Sequence, residues 1–587
     1  MSRSSAQSVA TPAGPDLNAI QRLFDRGDYR RAHIQAAKAL KVLPGHAALH
    51  ALAGASARQI GRFDEAERLL RRAVELDGEG SQFARLLGDL LLQRERAEAA
   101  AEVLAGRLRH HPEDAEACNG LGLALTATAQ FPQALTILSE AVRLAPGNAV
   151  FVANLGACFE QAGMVDEARQ CLAIACSLAP DEPRYAGMRA RLEYFAGEAE
   201  LALETLAAAL ERWPRDGRLI DGKAVILSAL GRKDEAEAAY RAAIVAEPGN
   251  HTAYANFANR FDMGREAGVE AAVRQMLARP GGDTVRMSLL YTLTKIEEDK
   301  GDFGAAYRAL EEANALRRAQ LRYDPERDVR MFAALKREFE GAGDPGGLVT
   351  AGEGPIPIFI VGLPRSGTTL VETILERHAE VAALGELNTL MHGVRRGWLA
   401  APEGRKAAAL RADYLGTLPV LAQGARFVTD KMPLNFRFIG HVAAAFPEAR
   451  IVHVTRDARA TCWSNYRTFF SSAGNGFSYD PEDILRFRGL YRDLMAFWEE
   501  RFPGRIVTVD YDALVADQVR RTEDFVAALG LPWDAACLSP EASRRAVLTA
   551  STDQVRRKVY GGSSEGWRRY EPYAGAWLNR LEGIQAP

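Results

Sequence analysis

The chain has little cysteine, no long apolar run and almost no net charge. Six of its 587 residues are cysteines, without a C-x-x-C pair, which indicates a reducing compartment rather than a disulfide framework. Cys171 and Cys176 lack a surrounding cysteine–histidine cluster, so we predict no metal site. No stretch of 18 apolar residues occurs, so we expect no transmembrane segment and a cytoplasmic location. The net charge of -3 argues against nucleic acid as a partner.

A 34-residue period runs through the first half of the chain. Alanine keeps this step without exception, at Ala32, Ala66, Ala100, Ala134, Ala168, Ala202 and Ala236. A glycine stands five residues before most of these alanines, with Glu95 and Ala129 at the two places where it is missing. Helix pairs with a glycine between them and a small residue where they cross resemble the tetratricopeptide repeat. Such units stack into an all-α superhelix with a concave groove.

The repeat sets the expected domain organisation. Residues 1–14 read as a disordered lead, and about seven repeats are expected over 15–250. The register then breaks, so 251–340 is interpreted as degenerate repeats or a helical adaptor. The glycine- and proline-rich run 341–355 is a linker signal. We expect the repeat groove to bind a protein or peptide. If the chain is an enzyme, its substrate is one candidate for this partner. Plain scaffolding is the alternative.

The second half changes to short β-branched strands between helical stretches, at 356–361, 426–430, 449–455 and 505–511. Continuous apolar strands of this kind favour a parallel sheet covered on both faces. We therefore predict a C-terminal α/β domain of the P-loop-like parallel-sheet type over 356–587.

A phosphate-binding turn follows the first of these strands. GLPRSGTT (362–369) has the glycine spacing of a triphosphate loop, but Thr368 stands where such a loop has its lysine. The residues instead combine the amides of a helix N-terminus with the hydroxyls of Ser366, Thr368 and Thr369 and the cation Arg365. This predicts a site for a single phosphate with one more anionic group beyond it. A glycine turn used only for close packing is the alternative.

Three later segments follow in order: KMPLNF (431–436), VTRDARATCWSNY (454–466) and ASTDQVRRKVYGGSSEGWRRY (550–570). Together with the turn, they resemble the sulfotransferases that use 3'-phosphoadenosine 5'-phosphosulfate (PAPS), most closely the tyrosylprotein sulfotransferases, over about 356–575. The resemblance implies that the turn holds the 5'-phosphosulfate and that Arg456 and Ser464 hold the 3'-phosphate. By themselves, Arg456 and Asp457 would also suit a surface ion pair. The residues that the resemblance assigns to the donor are Arg365, Ser366, Gly367, Thr368, Thr369, Arg456, Ser464, Tyr511 and Ser551.

The resemblance also implies catalytic residues. HAEVAALGE (378–386) matches the segment that ends in the family's base, and Glu386 lies 21 residues after Arg365. Glu386 would take the proton of the acceptor hydroxyl, Lys431 would neutralise the leaving phosphate, and Arg365 would complete the catalytic set. Taken alone, a loop glutamate such as Glu386 is more often a solvated charge than a catalytic base. The implied reaction is one in-line displacement without a metal.

The acceptor stays open at this point. In the tyrosylprotein enzymes arginines follow the base closely, whereas here Asn388 and His392 come first and Arg395 and Arg396 lie farther on. The leading hypothesis is a PAPS-dependent sulfotransferase acting on an acceptor hydroxyl, with protein tyrosine as one candidate. The alternatives are a sulfotransferase for a small hydroxylated molecule and an inactive repeat-based interaction protein that binds nucleotide.

Overall fold

A computed structural model describes residues 16–94, 96–162, 164–196, 198–264, 266–279, 282–341, 354–402, 404–416, 418, 424–470, 473–543, 562 and 564–582. The chain forms two compact units. The first comprises Met1–Ala162 and Asp166–Ala179, and the second comprises Gly163–Val165 and Pro180–Pro587.

The first unit is built from successive helix pairs. Aspartate or asparagine caps begin several of the helices: the Asp114 carboxylate, for example, accepts the amide of Ala117 at 3.1 Å. The helices are α1 (Leu17–Asp25), α2 (Tyr29–Val42), α3 (Ala47–Gln59), α4 (Phe63–Asp77), α5 (Ala84–Gln93), α6 (Ala97–His110), α7 (Ala115–Ala127), α8 (Phe131–Leu144), α9 (Ala149–Gln161) and α10 (Val165–Leu178).

Small residues allow the paired helices to approach closely. All seven alanines of the 34-residue series are fully buried. Within α3, a Cβ on Gly54 would lie 2.8 Å from Cγ of Leu70 on α4, so a larger side chain would push the two helices apart. Ala129 replaces the inter-helix glycine at the cost of a left-handed φ of 55°. The alanine register therefore marks the helix crossings, as the sequence predicts.

The second unit begins with further helices of the same kind. Glu298, Asn314 and Lys336, which matter below, lie on the last three of them. The helices are α11 (Pro183–Phe195), α12 (Ala199–Arg212), α13 (Gly217–Ala229), α14 (Lys233–Ala246), α15 (His251–Arg260), α16 (Ala267–Leu277), α17 (Asp283–Lys300), α18 (Phe303–Leu321) and α19 (Pro325–Phe339).

A five-stranded parallel sheet follows, in the order β2-β3-β1-β4-β5. Its strands are β1 (Ile356–Gly362), β2 (Val381–Ala383), β3 (Phe427–Asp430), β4 (Arg450–Thr455) and β5 (Ile506–Asp510). The helices around it are α20 (Thr368–Glu376), α21 (Thr389–Gly393), α22 (Lys406–Gly416), α23 (Ile439–Ala445), α24 (Ala458–Arg467), α25 (Pro481–Arg501), α26 (Tyr511–Ala516), α27 (Gln518–Ala528) and α28 (Glu571–Leu578). Because β1 lies between β3 and β4, the chain changes direction across the sheet beside the carboxyl end of β1, where ligands bind in such folds.

The sheet is buried on both faces, as its apolar strands predict. In β1, Ile358 and Ile360 join a core with α20 and α27, whereas Phe359 joins a second core with α25. Phe339 of α19 belongs to this second core, where its ring centroid lies 5.5 Å from that of Trp498. The helices α17–α19 thus pack directly against the α/β region.

The predicted fold class, repeat helices followed by an α/β domain with a parallel sheet, is confirmed. The four predicted strands are present, and the fifth, β2, was missed because three residues of Val-Ala-Ala carry almost no strand signal. Seven helix pairs lie between Leu17 and Ala246. The predicted domain boundaries stay predictions.

Candidate active site

The turn between β1 and α20 is held open by unusual backbone conformations. Gly367 caps α20 with φ 103°, and a Cβ there would lie 2.2 Å from the Tyr511 ring. Gly362 passes so close to β4 that a Cβ would lie 2.5 Å from the Val454 carbonyl oxygen. Arg365 is left-handed at φ 70° although it is not a glycine. The turn therefore requires glycine at 362 and 367 and holds Arg365 in a strained conformation.

Four of the residues predicted to bind the donor meet at this turn. The Arg365 Nε donates to the Ser464 Oγ on α24 at 3.0 Å. The Arg456 Nη1, just beyond β4, donates to the carbonyl of Arg365 at 3.2 Å. The Arg456 guanidinium also lies 4.7 Å from the centroid of the Tyr511 ring. The groups expected to hold the two ends of a nucleotide are thus in direct contact rather than in separate pockets.

The charge at the turn is positive and buried. Burial, followed by the neighbouring guanidinium groups of Arg456 and Arg467, lowers the pKa of Arg365 to about 10. Arg365 is therefore still cationic at neutral pH, in a place where cations repel one another. The hydroxyl of Ser366 is buried and has no hydrogen-bond partner among the residues that the structure describes, and such groups in folded proteins call for an explanation. A bound anion would satisfy both.

Arg456 is oriented by residues that the sequence did not single out. Its Nε donates to the Ser564 Oγ at 2.9 Å, and the Ser564 hydroxyl in turn bonds Asp512. Asp512 also accepts the amide of Asp457 at 2.8 Å, while the Asp457 carboxylate caps α24 at the amide of Ala460. Asp457 thus acts as a helix cap, and Arg456 points to the turn.

Glu386 and Lys431 form an ion pair at the carboxyl edge of the sheet, the edge at which the turn after β1 lies. They follow the carboxyl ends of the neighbouring strands β2 and β3, and the Lys431 Nζ lies 2.6 Å from the Glu386 Oε1. The Lys431 side chain is fully buried, whereas 40% of the Glu386 side chain is exposed. The pair therefore presents a carboxylate to solvent with its counter-ion behind it.

Glu372 of α20 holds the segment that carries Glu386. Its Oε1 accepts both the Gly385 amide and the Thr429 hydroxyl at 2.8 Å. Glu372 is only 3% exposed, so these bonds are shielded from water. The signal in the sequence was a charged residue on the apolar face of TTLVETIL, and we overlooked it.

Asp430, next to Lys431, is a second buried carboxyl group. Burial raises its pKa well above its usual range. The Tyr414 hydroxyl donates to its Oδ2 at 3.2 Å and the Asn435 amide to its Oδ1 at 3.3 Å. Asp430 therefore anchors the end of β3 by accepting two buried hydrogen bonds.

The remaining predicted positions are placed as follows. Thr368 and Thr369 are buried at the start of α20, and Ser551 lies outside the described residues. After Glu386, Asn388 is exposed and His392 is buried. In the described part of the chain, no three His, Cys, Asp or Glu side chains are grouped to hold a metal ion. Among the described helices, none combines the length and apolarity that a membrane span requires.

Family models match two regions of the chain. The model of the sulfotransferase family matches residues 357–535, and tetratricopeptide-repeat models match 17–81, 52–108, 85–149, 125–192 and 188–251. An uncharacterized protein of Aquifex aeolicus (strain VF5) is 26% identical over 419 residues, which are 67% of this chain and 54% of that protein. Protein-tyrosine sulfotransferase 2 of Gallus gallus is 24% identical over 238 residues, which are 37% of this chain and 64% of that enzyme.

This chain thus spans less than two thirds of the length of either relative. Among solved structures, the tetratricopeptide-repeat protein YrrB is 22% identical with a TM-score of 0.26, over 28% of this chain and 86% of that one. The matched regions coincide with the repeat helices and with the sheet that carries the turn at 362–369. The chain therefore combines tetratricopeptide repeats with a C-terminal sulfotransferase family domain.

Proposed function

We propose that this protein transfers the sulfuryl group of PAPS to an acceptor hydroxyl. The observation that carries the proposal is the meeting of Arg365, Arg456 and Ser464 at one turn. The Ser366 hydroxyl of this turn is buried, with no partner in the described part of the chain. A sulfotransferase family domain over 357–535 supports the same reaction class. A triphosphate is disfavoured because Thr368 replaces the lysine of a triphosphate loop.

The two ends of the donor would be held by different groups. The amides at the start of α20 and the hydroxyls of Ser366, Thr368 and Thr369 suit the 5'-phosphosulfate, since a helix N-terminus favours anions. Arg456 and Ser464 suit the 3'-phosphate, with Tyr511 beside Arg456. Arg365 now donates to Ser464, and donor binding would exchange that hydrogen bond for contacts to phosphate oxygens.

The chemistry is a single displacement at sulfur. Glu386 takes the proton of the acceptor hydroxyl while the acceptor oxygen bonds to sulfur and the bond from sulfur to the phosphate oxygen breaks. The bond's electrons leave with 3'-phosphoadenosine 5'-phosphate. As Glu386 becomes neutral, Lys431 loses its counter-ion and can stabilise the negative charge on the departing oxygen. The positive charge of Lys431 is thus balanced by Glu386 before the reaction and by the leaving phosphate oxygen after it.

We propose that the acceptor is a protein, with tyrosine as the first residue to test, and that the repeat groove recruits it. The similarity to protein-tyrosine sulfotransferases and the presence of tetratricopeptide repeats in the same chain support this choice. A small hydroxylated acceptor is the second candidate, favoured by Asn388 standing where those enzymes have arginine. The cytoplasmic location stays a prediction.

The test is transfer of radiolabelled sulfate from PAPS into a lysate of the host, separated into protein and small molecules. We expect label in protein, and Glu386→Ala to lower transfer by about 100-fold, the scale for a general base. Glu380→Ala is the matched control, because Glu380 lies just before β2 and its carboxylate pairs with the exposed Arg426 side chain. Label confined to small molecules would refute the protein acceptor, and no transfer by the wild type would refute the activity.

A further inference from the structure

Glu298, near the end of α17, joins three parts of the second unit. Its carboxylate bonds the Arg467 guanidinium at the end of α24 through both oxygens, one of them 2.6 Å from Nε. It also accepts the hydroxyl of Tyr570 from the C-terminal segment. The Glu298 side chain is only 10% exposed whereas 46% of the Arg467 side chain is exposed, so the carboxylate is held inside the fold and the fork-shaped pair is geometrically specific.

A second set of contacts fixes the same end of α24. The Asn314 amide on α18 donates to the carbonyl of Tyr466 at 2.9 Å, and its oxygen accepts the Tyr291 hydroxyl at 2.6 Å. Asn314 is 1% exposed. Arg317, one turn later, donates to the carbonyl of Phe470 at 3.0 Å. Helix α18, which precedes the sulfotransferase domain, therefore occupies backbone carbonyls at and just beyond the end of α24, and Tyr291 of α17 supports Asn314 in doing so.

The end of α24 is where the donor-binding serine lies. Ser464 is one turn before Arg467, and its carbonyl accepts the Thr468 hydroxyl at 2.6 Å. Its Oγ accepts the Arg365 guanidinium, as described above. Arg467 is also close enough to Arg365 to repel its charge, and Glu298 supplies the compensating negative charge. A shift of α24 would therefore move Ser464 and unbalance the charge of the turn.

We propose that Glu298 and Asn314 are positioning residues of the donor site, which hold α24 so that Ser464 and Arg456 can meet the 3'-phosphate of the nucleotide. The inference rests on the proposed donor and goes beyond it. Donor recognition then depends on α17 and α18, which lie outside the region matched by the sulfotransferase family model. The helices that follow the repeats are, on this account, a working part of the nucleotide site.

The test compares two ligands on the full chain by calorimetry: 3'-phosphoadenosine 5'-phosphate and adenosine 5'-phosphate. The ratio of their dissociation constants isolates recognition of the 3'-phosphate. In Glu298→Gln and in Asn314→Ala we expect this ratio to fall about tenfold, the scale of one lost supporting hydrogen bond. A merely structural role would weaken both ligands together and leave the ratio unchanged.

Asp493→Asn is the matched control. Asp493 of α25 pairs with Lys336 of α19 at 2.8 Å, so this variant weakens the attachment of the neighbouring helix α19 and leaves the bonds of Glu298 and Asn314 to α24 in place. We expect it to keep the wild-type ratio. An unchanged ratio in folded Glu298→Gln and Asn314→Ala, or an equal fall in Asp493→Asn, would overturn the inference.

If one of the two variants does not fold, by circular dichroism, the other decides. A wild type without preference for the 3'-phosphorylated ligand would instead overturn the proposed donor, and with it this inference, so the two failures are distinguishable.

Discussion

Replacing Lys431 by methionine separates catalysis from stability, because the two members of its ion pair differ in burial. The Lys431 side chain is fully buried, but 40% of its partner Glu386 is exposed. After the substitution water can solvate the Glu386 carboxylate, so no unpaired charge is trapped in the interior. Methionine fills a similar volume without a polar group. We therefore expect a loss of about 1 kcal/mol or less in the free energy of unfolding.

The effect on turnover should be far larger. If Lys431 stabilises the departing oxygen, its removal should lower the rate of sulfuryl transfer by about 100- to 1,000-fold, the scale for one preorganised group at a developing charge. Affinity for 3'-phosphoadenosine 5'-phosphate should change little, because Arg456 and Ser464 are intact.

Single-turnover transfer of labelled sulfate, calorimetry of the product nucleotide and chemical denaturation give the three quantities. Lys336→Met removes the partly buried ion pair between Lys336 and Asp493, and is therefore the control for losing a lysine ion pair elsewhere in the fold. A rate of transfer by Lys431→Met within threefold of the wild-type rate would refute the role of Lys431. A fall in nucleotide affinity as large as the fall in the transfer rate would refute it as well.

Three further predictions address the supports of the site. Glu372→Gln should keep nucleotide affinity but lower transfer by about tenfold, since the Gly385 amide and the Thr429 hydroxyl lose a charged acceptor; wild-type transfer would contradict this. Gly367→Ala should abolish nucleotide binding, because its Cβ would lie 2.2 Å from the Tyr511 ring; retained affinity in calorimetry would show that the turn can relax. Burial lowers the pKa of His453 to about 4 from 6.5, so its neutral form stabilises the fold above pH 6.5 and this contribution is lost as the pH falls to about 4. Over that window His453→Gln should lose about 3 kcal/mol less stability than the wild type in denaturation experiments, and identical slopes would contradict the assignment.

The parts of the fold that the sequence predicts are those with repeated or local signals. The alanine step of 34 residues identifies helix crossings because each such position admits only a small side chain, and all seven alanines are fully buried. The predicted strands are runs of several consecutive apolar and β-branched residues, whose summed strand propensity is high enough to identify them. The short strand β2 has no such run, and only its pairing with β3 defines it.

The site was predictable where a motif is contiguous and not where it depends on distant contacts. The turn and the residues after β3 and β4 could be identified from order and spacing. The left-handed backbone of Arg365 could not, because nothing in its side chain favours that conformation. Glu298 acts on Arg467 across 169 residues of sequence, and no local pattern reports such a pairing. Glu372 did carry a local signal, a carboxylate within an apolar helix.

The central claim is that a cluster of arginines at a lysine-free turn recognises a nucleotide by both its 5'- and its 3'-phosphate. Its most direct test is a calorimetric titration of the wild-type protein with 3'-phosphoadenosine 5'-phosphate, adenosine 5'-phosphate and ATP with magnesium. The account predicts that the 3'-phosphorylated ligand binds about 100-fold more tightly than adenosine 5'-phosphate, from two charge-assisted hydrogen bonds, and that ATP binds much less well. Equal affinity for the first two ligands, or preference for ATP, would contradict it.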